Sequence, residues 1–167
     1  LSKDQILEIY VNQIYLGQRA YGFAAAVDRF RAEGGRGANI TLPFKGQAFE
    51  YATEHSDRAR RASAVNTLKF DGDHVFGDNT DGAGLVADLE QNLRLALRGR
   101  SILVAGAGGA TRGVIPSLLE AQPAGIVVAN RSLQRAEDIM IAFGGRVLAS
   151  SYSALEGQRF DIVVNAT

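Results

Sequence analysis

The chain has 167 residues, of which 46% are hydrophobic and 22% charged, and its 18 Lys and Arg balance its 18 Asp and Glu. A net charge of zero argues against nucleic acid or an anionic membrane surface as a partner, because proteins that bind them normally carry a basic excess. The absence of cysteine excludes disulfides and thiolate metal ligands, and it favours a cytoplasmic protein. No apolar run reaches the roughly 20 residues of a membrane-spanning helix, and with only two histidines we expect no bound metal.

Residues 1–28 have the pattern of amphipathic helices. Ser2 and Gln5 form a capping-box pattern, and apolar residues then recur at helical spacing as far as Ile14. A second helix is predicted to begin at Tyr21. By this pattern alone, the segment is an amphipathic helical region that packs on a core.

The order of the residues in this segment is more specific than their spacing. The segment contains Lys3-x-x-Ile6-Leu7-x-x-Tyr10-x-Asn12, then Gln13-Ile-Tyr-Leu-Gly17 and Tyr21-Gly-x-x-Ala-Ala. In this order, residues 1–27 resemble the peptidoglycan glycosyltransferase domain of class A penicillin-binding proteins. The catalytic glutamates of that family lie in motifs that this chain does not contain, and glycosyl transfer needs such a carboxylate. The resemblance therefore implies a scaffold helix, and 1–28 is predicted to be a separate region.

Residues 29–97 are predicted to alternate short strands and helices. The β-branched run between Gly37 and Pro43 predicts a strand, and Asp71-Gly72 predicts a hairpin turn that joins strands at 65–70 and 74–76. Helices are predicted over 44–54, 56–62 and 80–97, the last from leucines at helical spacing.

Residues 98–167 alternate apolar strands with helices. Strands are predicted over 101–105, 125–129, 146–149 and 161–165, with helices that reach about residue 121 and span 132–143. Because a β-α-β-α-β order argues for a parallel sheet with right-handed crossovers, the predicted fold class is α/β.

A glycine-rich turn follows the first of these strands and opens the next helix. Gly106 permits a tight turn, Gly108 lets a pyrophosphate approach the backbone, and the helix N-terminus offers free N–H groups. This context favours dinucleotide binding, although a plain turn between strand and helix stays an alternative. Thr111 occupies the third fingerprint position, where glycine or alanine is usual. The candidate cofactor-binding residues are Gly106, Ala107, Gly108, Gly109 and Ala110.

The residues after the second strand of this region bear on the choice of cofactor. An NAD site usually has Asp or Glu there, whereas this chain has Asn130, Arg131 and Ser132, with Arg135 one turn later. A guanidinium favours a 2′-phosphate by charge-assisted hydrogen bonding, so we expect NADP rather than NAD. Two solvated arginines without a ligand are the alternative.

Several strings of residues follow one another along the chain in a particular order. They are Gly37-Ala-Asn39-Ile-Thr41-Leu-Pro43-Phe-Lys45, Ala64-Val-Asn66-Thr67-Leu, Gly77-Asp-Asn79-Thr80-Asp81-Gly82, the glycine turn, Asn130-Arg131-Ser132 and Val164-Asn165-Ala166-Thr167. In this order, residues 30–167 resemble shikimate dehydrogenase. The resemblance implies an NADP-dependent oxidoreductase that interconverts 3-dehydroshikimate and shikimate. It also implies part of a substrate-binding α/β lobe at 29–97 and the first half of a Rossmann-type sheet at 98–167.

The resemblance assigns roles to single residues. It implies Lys45 and Asp81 as the catalytic pair, with Thr41, Asn66 and Asp81 as substrate ligands, and Asp57 near the nicotinamide end of the cofactor. These residue types suit the chemistry, because a lysine ammonium can stabilise a developing negative charge on a ketone oxygen and donate a proton to it. A nearby carboxylate would orient that ammonium and favour its charged form.

The resemblance is incomplete at both ends of the chain. The segment that normally opens the family and holds the substrate carboxylate with serines is absent, and the sequence stops halfway through the expected nucleotide-binding fold. Ser63 also stands where the family usually has glycine. We therefore expect a truncated or chimeric chain with impaired activity, since catalysis depends on close positioning of the reactants.

Alternative functions stay open from the sequence. The chain could be a chimeric fragment that only binds nucleotide, a helical interaction module with 1–28 as its functional part, or a relative that accepts quinate. Unpaired sheet edges at the ends of the partial lobes predict homo-oligomers.

Overall fold

The structure, a computed structural model, describes residues 19–167, and the chain divides into two units. The first unit comprises residues up to Ser56 together with Ala64–Asp78. The second comprises Asp57–Ser63 and Asn79–Thr167. The first helix predicted from the sequence lies outside the described residues.

The first unit is built on a mixed sheet of four strands. Its elements are α1 (Arg19–Ala32), β1 (Gly37–Asn39), α2 (Lys45–Tyr51), β2 (Glu54–His55), β3 (Thr67–Asp71) and β4 (His74–Asp78). The strand order is β1-β3-β4-β2, in which β3 pairs antiparallel with β1 and β4, and β2 runs parallel to β4. The predicted hairpin is confirmed, because Asp71 pairs with His74 and Gly72 has the positive φ of +57° that such a turn needs.

Aromatic side chains pack α1 against α2. Phe23 is buried, and its ring stacks on that of Phe44 with 5.8 Å between centroids and meets that of Tyr51 edge-on at 6.1 Å. The helix α1 extends to Ala32, so the predicted boundary between residues 28 and 29 falls inside a helix.

The strand β1 is shorter than the predicted strand at 37–43. Beyond Asn39, the N–H of Ile40 donates to the carbonyl of Asn66 at 2.6 Å, and the N–H of Phe44 donates to the carbonyl of Thr41 at 3.0 Å. This turn directs the chain into α2, which begins one residue later than predicted and ends three residues earlier, before the short unpredicted strand β2.

The second unit is a parallel sheet with helices. Its elements are α3 (Asp57–Ala62), α4 (Asp81–Ala87), a π-helical turn (Asp88–Asn92), β5 (Ser101–Ala105), α5 (Gly109–Glu120), β6 (Gly125–Ala129), α6 (Leu133–Ala142), β7 (Leu148–Ser150), a 3₁₀ turn (Ser153–Leu155) and β8 (Ile162–Asn165). The strand order is β7-β6-β5-β8 with every pair parallel, which is the order of the first four strands of a Rossmann sheet. The predicted α/β class is confirmed.

The core of this unit lies between its sheet and its helices. Ile102 and Val104 of β5 and Val128 of β6 are fully buried, as are Ile115 of α5 and Ile139 of α6. Alternate strand residues therefore face the helices, and this packing fixes the helix that begins at the glycine-rich turn. Within residues 19–167, no helix has the length and apolar character that a membrane span requires.

The helix predicted over 80–97 is wrong in its second half. The α-helix ends at Ala87, a π-helical turn follows, and Arg94 has a positive φ of +56°. Leu89 is buried, but Leu93, which continues the leucine spacing, is 58% exposed. The spacing of apolar residues thus extends beyond the segment that the core can cover.

Candidate functional site

The glycine-rich turn joins the carboxyl end of β5 to α5. Gly106 has a φ of +107°, and a Cβ at this position would lie 2.6 Å from the carbonyl oxygen of Ala166, so a side chain does not fit. A Cβ at Gly108 would meet nothing within 4 Å, and no side chain caps α5. The first-turn N–H groups of α5, which include those of Gly109 and Ala110, have no helical acceptor. An approachable backbone with free N–H groups is the arrangement that binds phosphate.

A buried hydroxyl fixes the shape of this turn. Thr111 is fully buried, and its Oγ1 donates to the carbonyl of Gly106 at 2.9 Å. Ala107 packs against the core of the unit. A threonine at the third fingerprint position is therefore accommodated, because its polar atom is satisfied inside the turn itself.

Two cationic side chains follow β6. The side-chain amide of Asn130 donates to the carbonyl of Ser132 at 3.0 Å, which holds the turn before α6. Arg131, Ser132 and Arg135 are exposed. In the described part of the chain, neither arginine has a carboxylate partner, so both guanidinium groups are available to an anion.

Backbone hydrogen bonds bring three predicted site residues into one region of the first unit. The N–H of Ile40 binds the carbonyl of Asn66, as described above, and the N–H of Val65 donates to the carbonyl of Lys45 at 2.9 Å. The loop that carries Thr41 and Lys45 is thereby tied to the chain segment before β3. Lys45 and Asn66 are half-buried and Thr41 is exposed, and Oδ1 of Asn66 accepts a hydrogen bond from Oγ1 of Thr67 at 2.8 Å.

Asp81 belongs to the second unit, where it is the first residue of α4. Its N–H donates to Oδ1 of Asn79 at 3.2 Å, and Asn79 is only 2% exposed. A Cβ at Gly113 of α5 would lie 3.4 Å both from Nδ2 of Asn79 and from Oδ2 of Asp81. The carboxylate and the amide thus lie beside the helix that begins at the glycine-rich turn.

The structure does not bring every predicted site residue to these places. Lys45 and Asp81 belong to different units. Asp57 is the first residue of α3, its side chain is 78% exposed, and a hydrogen bond from Arg60 at 2.6 Å holds the pKa of its carboxyl below the usual value. Asn79 and Gly113 were not predicted from the sequence, although a glycine in mid-helix is a cue to close packing.

Two family models match the chain one after the other. The model described as "Shikimate dehydrogenase substrate binding domain" matches residues 7–68, and the model described as "Shikimate / quinate 5-dehydrogenase" matches residues 88–167. Their order along the chain agrees with the order of the motifs that carry the predicted resemblance.

Curated and solved proteins agree with the family models. The shikimate dehydrogenase (NADP(+)) of Chromobacterium violaceum is 54% identical over 147 residues, which are 87% of this chain and 54% of that protein. The crystal structure of an Ael1 enzyme from Pseudomonas putida is 49% identical with a TM-score of 0.80, over 87% of this chain and 54% of that one. Shikimate 5-dehydrogenase of Thermus thermophilus, solved in complex with NADP(H) and shikimate, is 33% identical with a TM-score of 0.77, over 88% and 53%. The chain thus spans about half the length of the curated relatives it matches.

The predicted glycosyltransferase resemblance of residues 1–27 has no support in these comparisons. The model of the dehydrogenase substrate-binding domain already begins at residue 7, within the stretch that we assigned to the other family. The short helical pattern of 1–27 was too unspecific to distinguish the two. The comparisons also give no support to a chimera.

Proposed function

We propose that the chain is a member of the shikimate dehydrogenase family and that it interconverts 3-dehydroshikimate and shikimate by hydride transfer with NADP. The observation that most supports this activity is the pair of backbone hydrogen bonds, Ile40 to Asn66 and Val65 to Lys45, that brings Thr41, Lys45 and Asn66 into one region of the first unit.

We assign the cofactor to the second unit. The open backbone of the turn at 106–110 suits a pyrophosphate, and Arg131 and Arg135 suit a 2′-phosphate, with Asn130 holding the turn before Ser132. When bound, NADP supplies or accepts the hydride. Asp57, which is ion-paired with Arg60 at 2.6 Å, is proposed to lie near the nicotinamide end.

Lys45 is proposed to donate and accept the proton of the reacting oxygen. In the reducing direction, its ammonium stabilises the negative charge that develops on the ketone oxygen and donates a proton to that oxygen. In the oxidising direction, the neutral amine accepts the proton of the ring hydroxyl. Asp81 is proposed as the second member of the catalytic pair and as a substrate ligand, while Thr41 and Asn66 offer neutral hydrogen-bonding groups to ring hydroxyls.

A Lys45→Ala variant tests the proposed chemistry. Shikimate oxidation is followed by NADPH absorbance for the unaltered chain, for Lys45→Ala and for Lys69→Ala, an exposed lysine on β3 as the matched control. Because the assay runs in the oxidising direction, loss of the general base is expected to lower kcat by about 10²- to 10⁴-fold with KM largely kept, whereas Lys69→Ala keeps its turnover. Equal turnover in all three proteins would remove Lys45 from the mechanism. Nucleotide binding without turnover of shikimate in the unaltered chain would favour a protein that only binds nucleotide, and a preference for quinate would favour the quinate branch of the family.

An Arg131→Ala variant tests the choice of cofactor. Losing one charge-assisted contact to a 2′-phosphate is expected to weaken NADP binding by about 10- to 100-fold and to leave NAD binding unchanged. The exposed Arg146, whose Nε donates to the carbonyl of Phe143, provides the control for a lost surface charge. Equal affinity of the unaltered chain for NADP and NAD would contradict the assignment.

We also propose that the chain associates through its sheet edges in the cytoplasm. The outer strands of the parallel sheet are β7 and β8, on which Leu148 and Val163 are each 62% exposed. Outer strands with exposed apolar residues are pairing surfaces. Light scattering at several concentrations tests this, and a monomer at all of them would contradict it.

A further inference from the structure

The buried amide of Asn79 takes no part in the chemistry proposed for Lys45 and Asp81. It is one of two polar residues that are buried in the described part of the chain, the other being Thr111 in the phosphate-binding turn. Its Oδ1 accepts the N–H of Asp81, which belongs to the first turn of α4, where the side chain of Thr80 makes no cap. Asn79 therefore supplies an acceptor to one of the N–H groups that a helix start leaves without a partner in the helix.

The helix α4 lies very close to α5 at this point. A Cβ at Gly82 would lie 2.6 Å from Oγ of Ser117 and 2.8 Å from the carbonyl oxygen of Gly113. A Cβ at Gly113 would lie 3.4 Å from Nδ2 of Asn79 and from Oδ2 of Asp81, so both side chains lie beside α5 at the same interface. The carboxylate of Asp81 thus lies beside the backbone of α5, and the N–H of Asp81 is hydrogen-bonded to Asn79.

We propose that Asn79 is a positioning residue that holds the carboxylate of Asp81 in its catalytic orientation on α5. This inference rests on the proposed function, in which Asp81 acts in catalysis. The helix α5 begins at the phosphate-binding turn, and Gly113 follows Gly109 by one turn, about 6 Å along the axis. One helix therefore carries both the phosphate-binding N–H groups and the surface on which Asp81 rests. A neutral amide is suited to this place because it binds the backbone without adding a second charge beside the carboxylate.

Two substitutions of Asn79 separate orientation from folding. Asn79→Ala removes the acceptor, whereas Asn79→Ser keeps a hydroxyl two residues before the N–H of Asp81 and can form the equivalent turn. Asp161→Asn serves as the control for stability, because Asp161 binds Ser101 at the start of β5 and lies outside the proposed machinery. For each protein, kcat and KM for shikimate oxidation are measured together with the thermal midpoint. The exchange rate of the Asp81 amide hydrogen is measured by NMR.

The expected result is a loss in kcat that stability does not explain. Asn79→Ala is expected to lower kcat by about 10- to 100-fold, with the KM for NADP changed by less than about threefold. Asn79→Ser should recover most of the rate, and Asp161→Asn should lower the midpoint while keeping kcat. Unchanged kcat in Asn79→Ala, or an equal loss in Asp161→Asn, would overturn the inference.

The failure of the proposed function gives a different result. If the unaltered chain turns over no shikimate, the proposed function fails and a catalytic role for Asn79 is overturned with it. If the unaltered chain is active but its Asp81 amide exchanges as fast as that of the Asn79→Ala variant, the positioning inference alone is overturned. Faster exchange in Asn79→Ala, together with the loss in kcat, supports it.

Discussion

The two glycines of α4 offer a sharp test of its packing against α5. Gly82 is buried, and a methyl group there would overlap Oγ of Ser117 and the carbonyl oxygen of Gly113. Gly84 lies two residues later in the same helix, it is exposed, and a methyl group there would meet nothing within 4 Å. Because neither residue has a positive φ, alanine is allowed at both by the backbone. The main difference between the two variants is thus what the added methyl group contacts.

The expected difference in stability follows from two contributions. Replacing glycine with alanine in a helix stabilises it by about 1 kcal/mol, and Gly84→Ala should show this gain. Gly82→Ala has the same gain, but overpacking of a closely packed interface costs about 1–3 kcal/mol, since a backbone carbonyl cannot rotate away as a side chain can. Gly82→Ala should therefore be less stable than Gly84→Ala by about 1–3 kcal/mol.

Urea denaturation of the unaltered chain and the two variants measures this difference. The midpoint should rise for Gly84→Ala, and that of Gly82→Ala should lie below it, with equal slopes. Adding Ser117→Ala to Gly82→Ala should restore part of the stability, because it removes the Oγ contact and leaves the contact with the carbonyl of Gly113. Equal midpoints for Gly82→Ala and Gly84→Ala would refute the close packing of α4 on α5.

Three further substitutions test the contacts elsewhere. Tyr51→Phe removes a hydroxyl that donates to Asp28 and accepts from Arg31, so it should lower the unfolding free energy by about 1 kcal/mol, while the exposed Tyr152→Phe should not change it. Hydrogen bonds from Ser101 hold the pKa of Asp161 below its usual value. The contribution of this carboxylate to the free energy of unfolding is therefore present above its pKa in the unfolded chain, and it is lost as the pH falls through its pKa in the folded chain. Asp161→Asn should thus lower the urea midpoint at pH 7, and the fall of the midpoint with decreasing pH below about pH 4 should be weaker in this variant than in the unaltered chain. Ser63→Gly should raise the thermal midpoint, because the φ of +48° at Ser63 strains a residue with a Cβ, and an unchanged or lower midpoint would contradict this.

Local signals in the sequence were sufficient for the parallel sheet and its glycine-rich turn. The strand of Ser101–Ala105 is a short apolar run, and the glycines at 106 and 108 mark the turn that follows it. The end of α4 could not be predicted in this way, because Leu93 continues the helical spacing although the structure leaves it exposed. Apolar spacing reports which residues could form a helix face, whereas burial depends on how far the neighbouring helix extends.

The role of Asn79 could not be predicted for a different reason. Its hydrogen bond to Asp81 is local in the chain, but Asn79 is also buried beside α5, which lies much further along the sequence. In a sequence, the string Asn-Thr-Asp-Gly is typical of a turn or of the start of a helix. At either place the side-chain amide of the asparagine is expected to be exposed to solvent. Its burial in the tertiary structure makes its hydrogen bond costly to lose, and local sequence does not report that burial.

Small residues form one face of α5. Gly109, Gly113 and Ser117 recur every four residues and so occupy the same side of the helix, while Ile115 and Leu118 face the core. Glycine in mid-helix costs about 1 kcal/mol relative to alanine, so this face is unfavourable for an isolated helix. The cost is offset where the face lets α4 approach closely and lets the carboxylate of Asp81 rest on the backbone of α5. A four-residue spacing of small residues after a glycine-rich turn therefore indicates which face of the following helix receives a neighbour, and it directs attention to the residues at the start of that neighbour.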